Sequence, residues 1–244
     1  MGGVIVIPAR YGSTRFPGKP LVPIAGVSLI RRVWERASQS SRAAAVYVAT
    51  DDARIARHVE EFGGRVVQPA GEFATGTDRI AAALDLIGPS FSDGPVVNVQ
   101  GDEPLVDVAS IDAIIDVLEQ DATLEMATLA CPITTDEEYR SRDVVKVVTD
   151  LAGNALYFSR APIPWGGHGP ARRHVGLYGY RADALRRLAR LPQTQLERAE
   201  SLEQLRALEN GFTIRVLQTR QPHLGVDRPE DVARVESELA RFGS

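Results

Sequence analysis

The chain has 244 residues, a formal net charge of −4 at pH 7 and a sequence pI near 5.7. A general nucleic-acid binder needs a basic face that neutralises phosphates, so this charge argues against that class but allows a small anionic ligand. The single Cys131 excludes an intramolecular disulfide and a multi-cysteine metal site, and without an apolar signal segment or a bilayer-spanning stretch we expect a cytoplasmic protein that does not engage membranes.

Short β-rich runs alternate with helical patterns over the first 150 residues. The second helix has a clear start and stop, since Asp51 or Asp52 can cap it and Gly63-Gly64 follows it. Alternation of this kind predicts parallel βαβ units and therefore an α/β fold. We predict strands at 4–9, 45–50, 65–68, 96–100, 126–133 and 144–150, with helices near 27–39, 52–62, 77–87 and 110–119.

After Asp150 the extended pieces become shorter, and we interpret this part of the chain as an insertion folded onto the sheet. Pro229 is placed to open a final amphipathic helix that ends near residue 242. We therefore predict a single domain with a core at 1–150, an insertion at about 151–212, and a return strand and helix at 213–244. Its predicted elements are strands at 155–159, 175–180 and 213–217 and helices at 182–191 and 196–210.

In an open α/β sheet, ligands bind beyond the carboxyl ends of the strands. The first such loop is "RYGSTRFPGKP", residues 10–20, which differs from a Walker A loop because five residues separate its glycines and a proline follows its lysine. Side-chain cations must therefore hold a phosphate here, and the loop offers Arg10, Arg15 and Lys19 with Ser13 as a hydroxyl donor. The alternative is a solvated basic loop.

Two acidic stretches follow other predicted strands. In "VNVQGDEP", residues 97–104, Asp102 suits Mg²⁺, which usually takes one or two carboxylates together with substrate phosphate oxygens. The alternative is a turn in which Asp102 bonds its own backbone. In "GVDRPED", residues 225–231, Asp227 precedes the last helix, where an N-cap is the alternative to a metal ligand.

Two further stretches carry candidate site residues. "ATGTDR", residues 74–79, starts a helix and brings Arg79 near the same sheet edge. "RRHVGLYGYR", residues 172–181, places His174 and Tyr178 four positions apart, on one face of a strand. A structural or surface role is the alternative for the histidine.

Taken in order, "IPARYGSTRFPGKPL", "VATDD", "TGTDR", "VNVQGDEPL", "KVV", "ALYFSRAPIPW", "RHVGLYGYR", "LEQLR" and "GVDRPEDV" closely resemble the 3-deoxy-manno-octulosonate cytidylyltransferase family of the sugar-nucleotidyltransferase superfamily, over nearly the full chain. The resemblance implies a Rossmann-like, GT-A-like mixed α/β sheet flanked by helices, with a smaller insertion that binds sugar and helps to form a homodimer. It implies transfer of CMP from CTP to 3-deoxy-D-manno-octulosonate (Kdo) with Mg²⁺ as cofactor and pyrophosphate as the second product.

The resemblance also implies roles for named residues. Lys19, Arg10 and Asp102 are the expected catalytic residues, and Arg160 is a weaker candidate in the cleft. The expected nucleotide-binding residues are Arg10, Ser13, Arg15, Lys19, Arg79 and Asp102, the metal ligands are Asp102 and Asp227, and the sugar-binding residues are Gln100, His174, Tyr178, Glu203 and Gln204.

One departure from the family bears on the sugar. Only eight residues, 166–173, separate Trp165 from His174, where the family has a longer segment. A cytidylyltransferase for another acidic sugar, such as 8-amino-Kdo or a sialic acid, is one alternative. A non-catalytic nucleotide-sensing module is another, although Lys19, Asp102 and Asp227 together argue against it.

Overall fold

The computed structural model describes residues 2–12, 16–71, 73, 75–88, 94–220 and 224–242. Its strands are β1 (Gly3–Pro8), β2 (Pro23–Ile24), β3 (Val27–Ser28), β4 (Ala43–Ala49), β5 (Arg65–Val67), β6 (Pro95–Asn98), β7 (Met126–Pro132), β8 (Lys146–Thr149), β9 (Ala155–Ser159), β10 (Arg172–Arg181) and β11 (Ile214–Gln218). Its α-helices are α1 (Leu29–Ala37), α2 (Ala53–Glu61), α3 (Gly76–Ile87), α4 (Val108–Gln120), α5 (Asp136–Arg140), α6 (Ala182–Ala189), α7 (Gln195–Glu200), α8 (Gln204–Glu209) and α9 (Asp231–Phe242).

A mixed sheet forms the centre of the molecule, as the predicted α/β fold requires. Its main path runs β11-β7-β10-β6-β1-β4-β5, and β8 and β9 extend it beside β10. The pairs of β1 with β4 and β6, and of β7 with β11, are parallel, whereas β10 runs antiparallel to both β6 and β7. The carboxyl ends of β1 and β6 therefore meet at one edge of the sheet.

Helices cover both faces of this sheet. Successive side chains of β1 point to opposite faces, so that Ile5 and Ile7 join one buried cluster and Val4 and Val6 join the other. The first cluster includes apolar residues of α1, α4 and α9, and the second includes residues of α3, α6 and α8. This two-sided burial explains why the predicted strands read as continuous apolar runs.

Among the boundaries that differ from the sequence prediction are those of three helices. The helix predicted at 196–210 is two helices, because Ser201 adopts a left-handed conformation (φ 55°) that ends α7 before α8 begins. The first helix starts only at Leu29, since residues 27–28 pair with residues 23–24 as a hairpin. The last helix begins at Asp231 and not at Pro229.

The segment predicted as an insertion supplies β10 to the middle of the sheet. The division of the chain into core and insertion stays a prediction. Over the described residues, none of the helices is long and apolar enough to cross a membrane.

Candidate active site

A tight turn after β1 places Lys19 at the carboxyl edge of the sheet. Gly18 has a left-handed backbone (φ 70°), and a Cβ there would lie 3.1 Å from the Tyr11 hydroxyl oxygen. The Gly18 N–H donates to the Tyr11 carbonyl (3.0 Å), and residues 19–21 form one 3₁₀ turn. This closed turn fixes the direction of the lysine side chain.

The Lys19 ammonium lies between two carboxylates that are remote in the sequence. Its Nζ is 2.7 Å from Asp102 Oδ2 and 3.7 Å from Asp227 Oδ1. Only 15% of the Lys19 side chain is exposed, so the charge is directed into the cleft and not toward bulk solvent. The predicted meeting of the two acidic residues beside the cationic turn is therefore present in the structure.

Backbone contacts bring Asp227 to this position. The Val226 N–H donates to the Asp102 carbonyl oxygen at 2.9 Å, which aligns the two loops. The Asp231 carboxylate accepts from the N–H groups of Asp227 and Arg228, both at 2.9 Å. Asp231 thus holds the approach to the last helix, and the side chain of Asp227 faces Lys19.

Gly101 allows the loops after β1 and β6 to approach each other. A Cβ at this position would lie 2.7 Å from the Pro8 carbonyl oxygen, closer than real Cβ contacts. The loop that carries Asp102 therefore packs directly on the backbone just before Arg10. Glycine is the residue type that permits this separation.

A cavity of about 330 Å³, here called the Lys19 cavity, opens over these residues. Four predicted site residues beyond Lys19 and the two carboxylates contribute to its wall, namely Arg10, Arg79, Gln100 and Glu203. Arg10 is exposed, whereas Arg79 is buried. Ser13 and Arg15, the remaining predicted phosphate-binding residues, lie outside the described residues.

Arg79 is held by a carboxylate and an aromatic ring. Its guanidinium pairs with Asp51, since Nη1 lies 2.9 Å from Oδ1 and Nη2 donates to Oδ2 at 3.1 Å. The guanidinium carbon also lies 5.1 Å from the centre of the Phe73 ring. The helix that carries it begins with a capping box in which the Thr75 and Asp78 side chains bond each other's backbone N–H groups.

A second cavity of about 220 Å³, here called the Tyr178 cavity, adjoins the first. Gln100 and Glu203 line both cavities, and Tyr178 and Gln204 line the second. Four of the five predicted sugar-binding residues therefore surround one continuous cleft that leads to Lys19.

Burial controls protonation in the Tyr178 cavity. Burial, with Tyr180 and Glu203 nearby, raises the pKa of the Tyr178 phenol well above its ordinary value, so the phenol stays neutral. Glu203 is exposed as a whole residue, but Thr77 donates to its carboxylate at 2.9 Å. Burial of this carboxyl raises its pKa, and the Thr77 hydrogen bond only partly opposes the shift.

His174, the fifth predicted sugar-binding residue, packs behind Tyr178. The two ring centres are 5.4 Å apart, and Phe158 contacts the imidazole edge-on at 5.1 Å. Its Nε2 lies 3.0 Å from the Thr128 hydroxyl, and burial lowers its pKa to about 3. A two-residue bulge after Val175 leaves His174 and Tyr178 on one face, because an even insertion keeps the alternation of the strand.

Arg160 and the shortened loop lie in other contacts. Arg160 Nε donates to the Glu200 carbonyl at 2.9 Å, and Arg160 Nη1 donates to the Arg142 carbonyl at 3.1 Å. Arg173 pairs with Glu138 at 3.2 Å, and Arg172 donates to backbone carbonyls of its own loop. These guanidinium groups thus already have protein partners.

The structure adds residues that the sequence analysis did not select. Asp51 and Phe73 support Arg79, and Asn98, Tyr180 and Thr77 belong to the Tyr178 cavity or its contacts. Asn98 could have been predicted from the sequence, because it lies two positions before Gln100 in a predicted strand and its side chain therefore points to the same face. Nothing in the local sequence marks the partnership between Asp51 and Arg79.

The donor set suits a magnesium ion. Among the described residues, no group of three or more His, Cys, Asp or Glu side chains is placed to hold a metal. Two converging carboxylates, Asp102 and Asp227, nevertheless match the small protein contribution that Mg²⁺ needs when substrate oxygens and waters complete its shell. The residues present therefore fit this cofactor.

A larger cavity of about 850 Å³ lies between α1, α4 and α9. Its wall, as far as the described residues define it, contains none of the predicted site residues. The size of a cavity therefore does not identify the site. The convergence of Lys19 with two carboxylates is stronger evidence for the position of the active site.

The fold and the cleft define an α/β protein with a charged cleft beyond the carboxyl ends of its strands, which is where open α/β sheets bind their ligands. The sequence profile of the cytidylyltransferase family matches residues 4–215. The chain therefore belongs to the cytidylyltransferase family.

Individual relatives extend this similarity over nearly the whole chain. The chain is 51% identical to a 3-deoxy-manno-octulosonate cytidylyltransferase of Syntrophotalea carbinolica, with 96% of this chain and 97% of that protein covered. It is 47% identical to the enzyme of the same name from Geobacter sulfurreducens, with 96% and 98% covered. A solved CMP:2-keto-3-deoxy-manno-octonic acid synthetase complexed with CTP superimposes with a TM-score of 0.93 at 38% identity, covering 99% of this chain and all of that one.

Proposed function

We propose that the chain transfers CMP from CTP to the anomeric hydroxyl of Kdo and releases pyrophosphate. The observation that carries this proposal is the Lys19 ammonium between Asp102 and Asp227, on the wall of a cavity that continues into a second, sugar-sized one. The names of the relatives supply the identity of the two substrates. An ordinary anion-binding loop does not need two carboxylates beside its lysine.

In this proposal the two substrates lie against different walls of the cleft. The triphosphate of CTP lies in the Lys19 cavity, where Lys19, Arg10 and Arg79 offset its charge. Kdo lies in the Tyr178 cavity, against Tyr178 and Gln204. Gln100 and Glu203 line both cavities, so they lie where the two substrates meet.

The reaction is one in-line displacement. The anomeric oxygen bonds to the α-phosphorus as the bond from that phosphorus to the bridging oxygen breaks, the bridging oxygen leaves with the pyrophosphate, and the hydroxyl proton passes to solvent water. Negative charge builds up on the departing pyrophosphate, and Lys19 and Arg10 stabilise it. Positioning by the cleft supplies much of the remaining rate enhancement, because both reactants are held before the displacement.

Mg²⁺ is the proposed cofactor. Asp102 and Asp227 would hold it, and Lys19 offsets the charge of the carboxylates and phosphates around it. When bound, the ion neutralises charge on phosphate oxygens.

The proposed assembly is a homodimer in the cytoplasm, where nucleoside triphosphates are made. Support for the dimer comes from exposed apolar side chains in the predicted insertion, with Leu156 at 62% and Trp165 at 99% of full exposure. Light scattering after size exclusion tests this assembly, and a mass of one chain, 26.5 kDa, would contradict it.

A sugar panel tests the proposed reaction. Pyrophosphate release is measured with CTP, Mg²⁺ and each of Kdo, 8-amino-Kdo and a sialic acid, with CTP alone as the control. We expect the highest kcat/KM with Kdo. Turnover of another acid with none on Kdo would replace the sugar, and no turnover with any acid would reject the transferase.

A further inference from the structure

Two buried polar atoms in the Tyr178 cavity lack hydrogen-bond partners among the described residues. They are Oδ1 of Asn98 and Nε2 of Gln204, and both residues line the cavity. Asn98 is 2% exposed and Gln204 is 6% exposed, so bulk water does not solvate them freely. One atom is an acceptor and the other is a donor.

The position of Asn98 in the sheet explains why its amide faces this cavity. Asn98 is the last residue of β6 and is paired directly with Tyr178 of β10. Its neighbour two positions earlier, Val96, belongs to the apolar cluster of α3 and α6. A polar side chain therefore replaces an apolar one on that face at the point where the cavity opens.

The end of the Asn98 amide that lacks a partner among the described residues is its carbonyl oxygen, Oδ1. Burial raises the pKa of the Tyr180 phenol, which lines the same cavity and therefore stays neutral. Oδ1 thus remains available to a donor that enters the cavity.

An unpaired buried amide oxygen is costly, because it has given up its hydrogen bonds to water without gaining one from the protein. A ligand that occupies the cavity must donate a proton to Oδ1, which a carboxylate cannot do and a hydroxyl can. We therefore propose, on the basis of the proposed function, that Asn98 is a specificity-determining residue whose Oδ1 accepts a hydrogen bond from a non-anomeric hydroxyl of the acidic sugar. Gln204 Nε2 donates to an oxygen of the same sugar.

This arrangement selects against sugars that lack the hydroxyl. A sugar with hydrogen in place of that group would close the cavity over Oδ1 without supplying a donor. A site built around a hydroxyl rejects the deoxy analogue strongly, because the polar atom of the protein is then left unpaired. In the free protein, the cavity of about 220 Å³ has room for waters that serve the same atoms.

The test is a cycle of enzyme variants and sugar analogues. Pyrophosphate release is measured at saturating CTP with Kdo and with analogues that lack the hydroxyl at C4, C5, C7 or C8. We expect the unaltered protein to lose about 10- to 100-fold in kcat/KM with one of these analogues. Turnover of all four analogues within threefold of Kdo would overturn the inference without any variant.

Asn98→Leu removes the acceptor at nearly constant shape, and Asn98→Ala removes it without added bulk. Each is expected to lose most of the discrimination against that one analogue while the KM for CTP changes less than threefold. Ser110→Ala, a buried polar change in α4 away from both cavities, is the control that keeps the discrimination. Circular dichroism checks that each variant is folded.

The outcomes separate the two proposals. Full discrimination in a folded Asn98 variant would overturn the role of Asn98 while leaving the transferase intact. Absence of turnover with every sugar acid in the unaltered protein would reject the proposed function, and the role of Asn98 with it.

Discussion

Replacing Gly101 by alanine tests whether the close approach of two strand-end loops builds the site. The added Cβ would lie 2.7 Å from the Pro8 carbonyl oxygen, whereas ordinary contact begins at 3.4 Å, so the two backbones must separate by about 0.7 Å. Both atoms in conflict belong to the main chain or are fixed to it, and a side-chain rotation cannot relieve the overlap. Asp102 and Arg10 would move apart as a result.

A misplacement near 1 Å can cost about 100-fold in rate, so we expect Gly101→Ala to lower kcat/KM by about 10- to 100-fold. Overpacking of this kind also destabilises by about 1–3 kcal/mol, or a fall in Tm of roughly 2–12 °C for a chain of this size. Pyrophosphate release and thermal unfolding measure the two effects. Gly166→Ala is the matched control, since a Cβ there meets nothing within 4 Å.

Unchanged kcat/KM and Tm in Gly101→Ala would refute this reasoning, because the loops would then not be in the contact described. A loss of stability with full activity would show that the approach supports the fold and not the geometry of the site.

Three other predictions address protonation and support. Burial lowers the pKa of His174 to about 3, so below pH 6.5 the unfolded chain takes up a proton that the native chain does not. Between pH 6.5 and about 3, the free energy of unfolding should therefore fall by up to about 1.4 kcal/mol per pH unit. Urea unfolding of His174→Phe should show a correspondingly smaller dependence on pH. Lys146 is fully buried, and its Nζ donates to the carbonyls of residues 141, 144 and 160 at 2.6–2.7 Å. Because Lys146→Met leaves these carbonyls unpaired, it should lower the free energy of unfolding in urea by at least about 2 kcal/mol. An unchanged urea midpoint would contradict this structural role of Lys146. Asp51→Asn weakens the ion pair with Arg79 and should raise the KM for CTP about 10-fold, with little change in the KM for the sugar. Asp51→Glu keeps the negative charge and should recover part of the lost affinity for CTP. Equal changes in KM for both substrates would count against a role of Asp51 in positioning Arg79.

The fold was largely predictable because its signals are local and strongly periodic. Runs such as residues 4–7 are buried on both faces and bounded by loops, which is typical of parallel strands. The break between α7 and α8 was not predictable, because it depends on a left-handed serine, Ser201, in an otherwise helical pattern. Leu202, the next residue, is buried in the tertiary structure, and hydrophobic periodicity does not predict a left-handed residue before it.

The site was predictable where chemistry follows a strand end. Lys19, Asp102 and Asp227 come from three such loops, and the topology of the sheet brings them together. The support for Arg79 comes from Asp51, on a loop after another strand, and only the pairing of β4 with β1 makes that contact possible. The spacing of residues in the sequence does not predict such a contact.

In the proposed function, Asp102, Asp227 and Lys19 form one site for a nucleoside triphosphate and a divalent cation. The most direct measurement is pyrophosphate release by Asp102→Asn, with CTP and Kdo, across a titration of Mg²⁺. We predict a loss in kcat of at least about 100-fold at every Mg²⁺ concentration in a protein that remains folded. Turnover equal to that of the unaltered chain would contradict it.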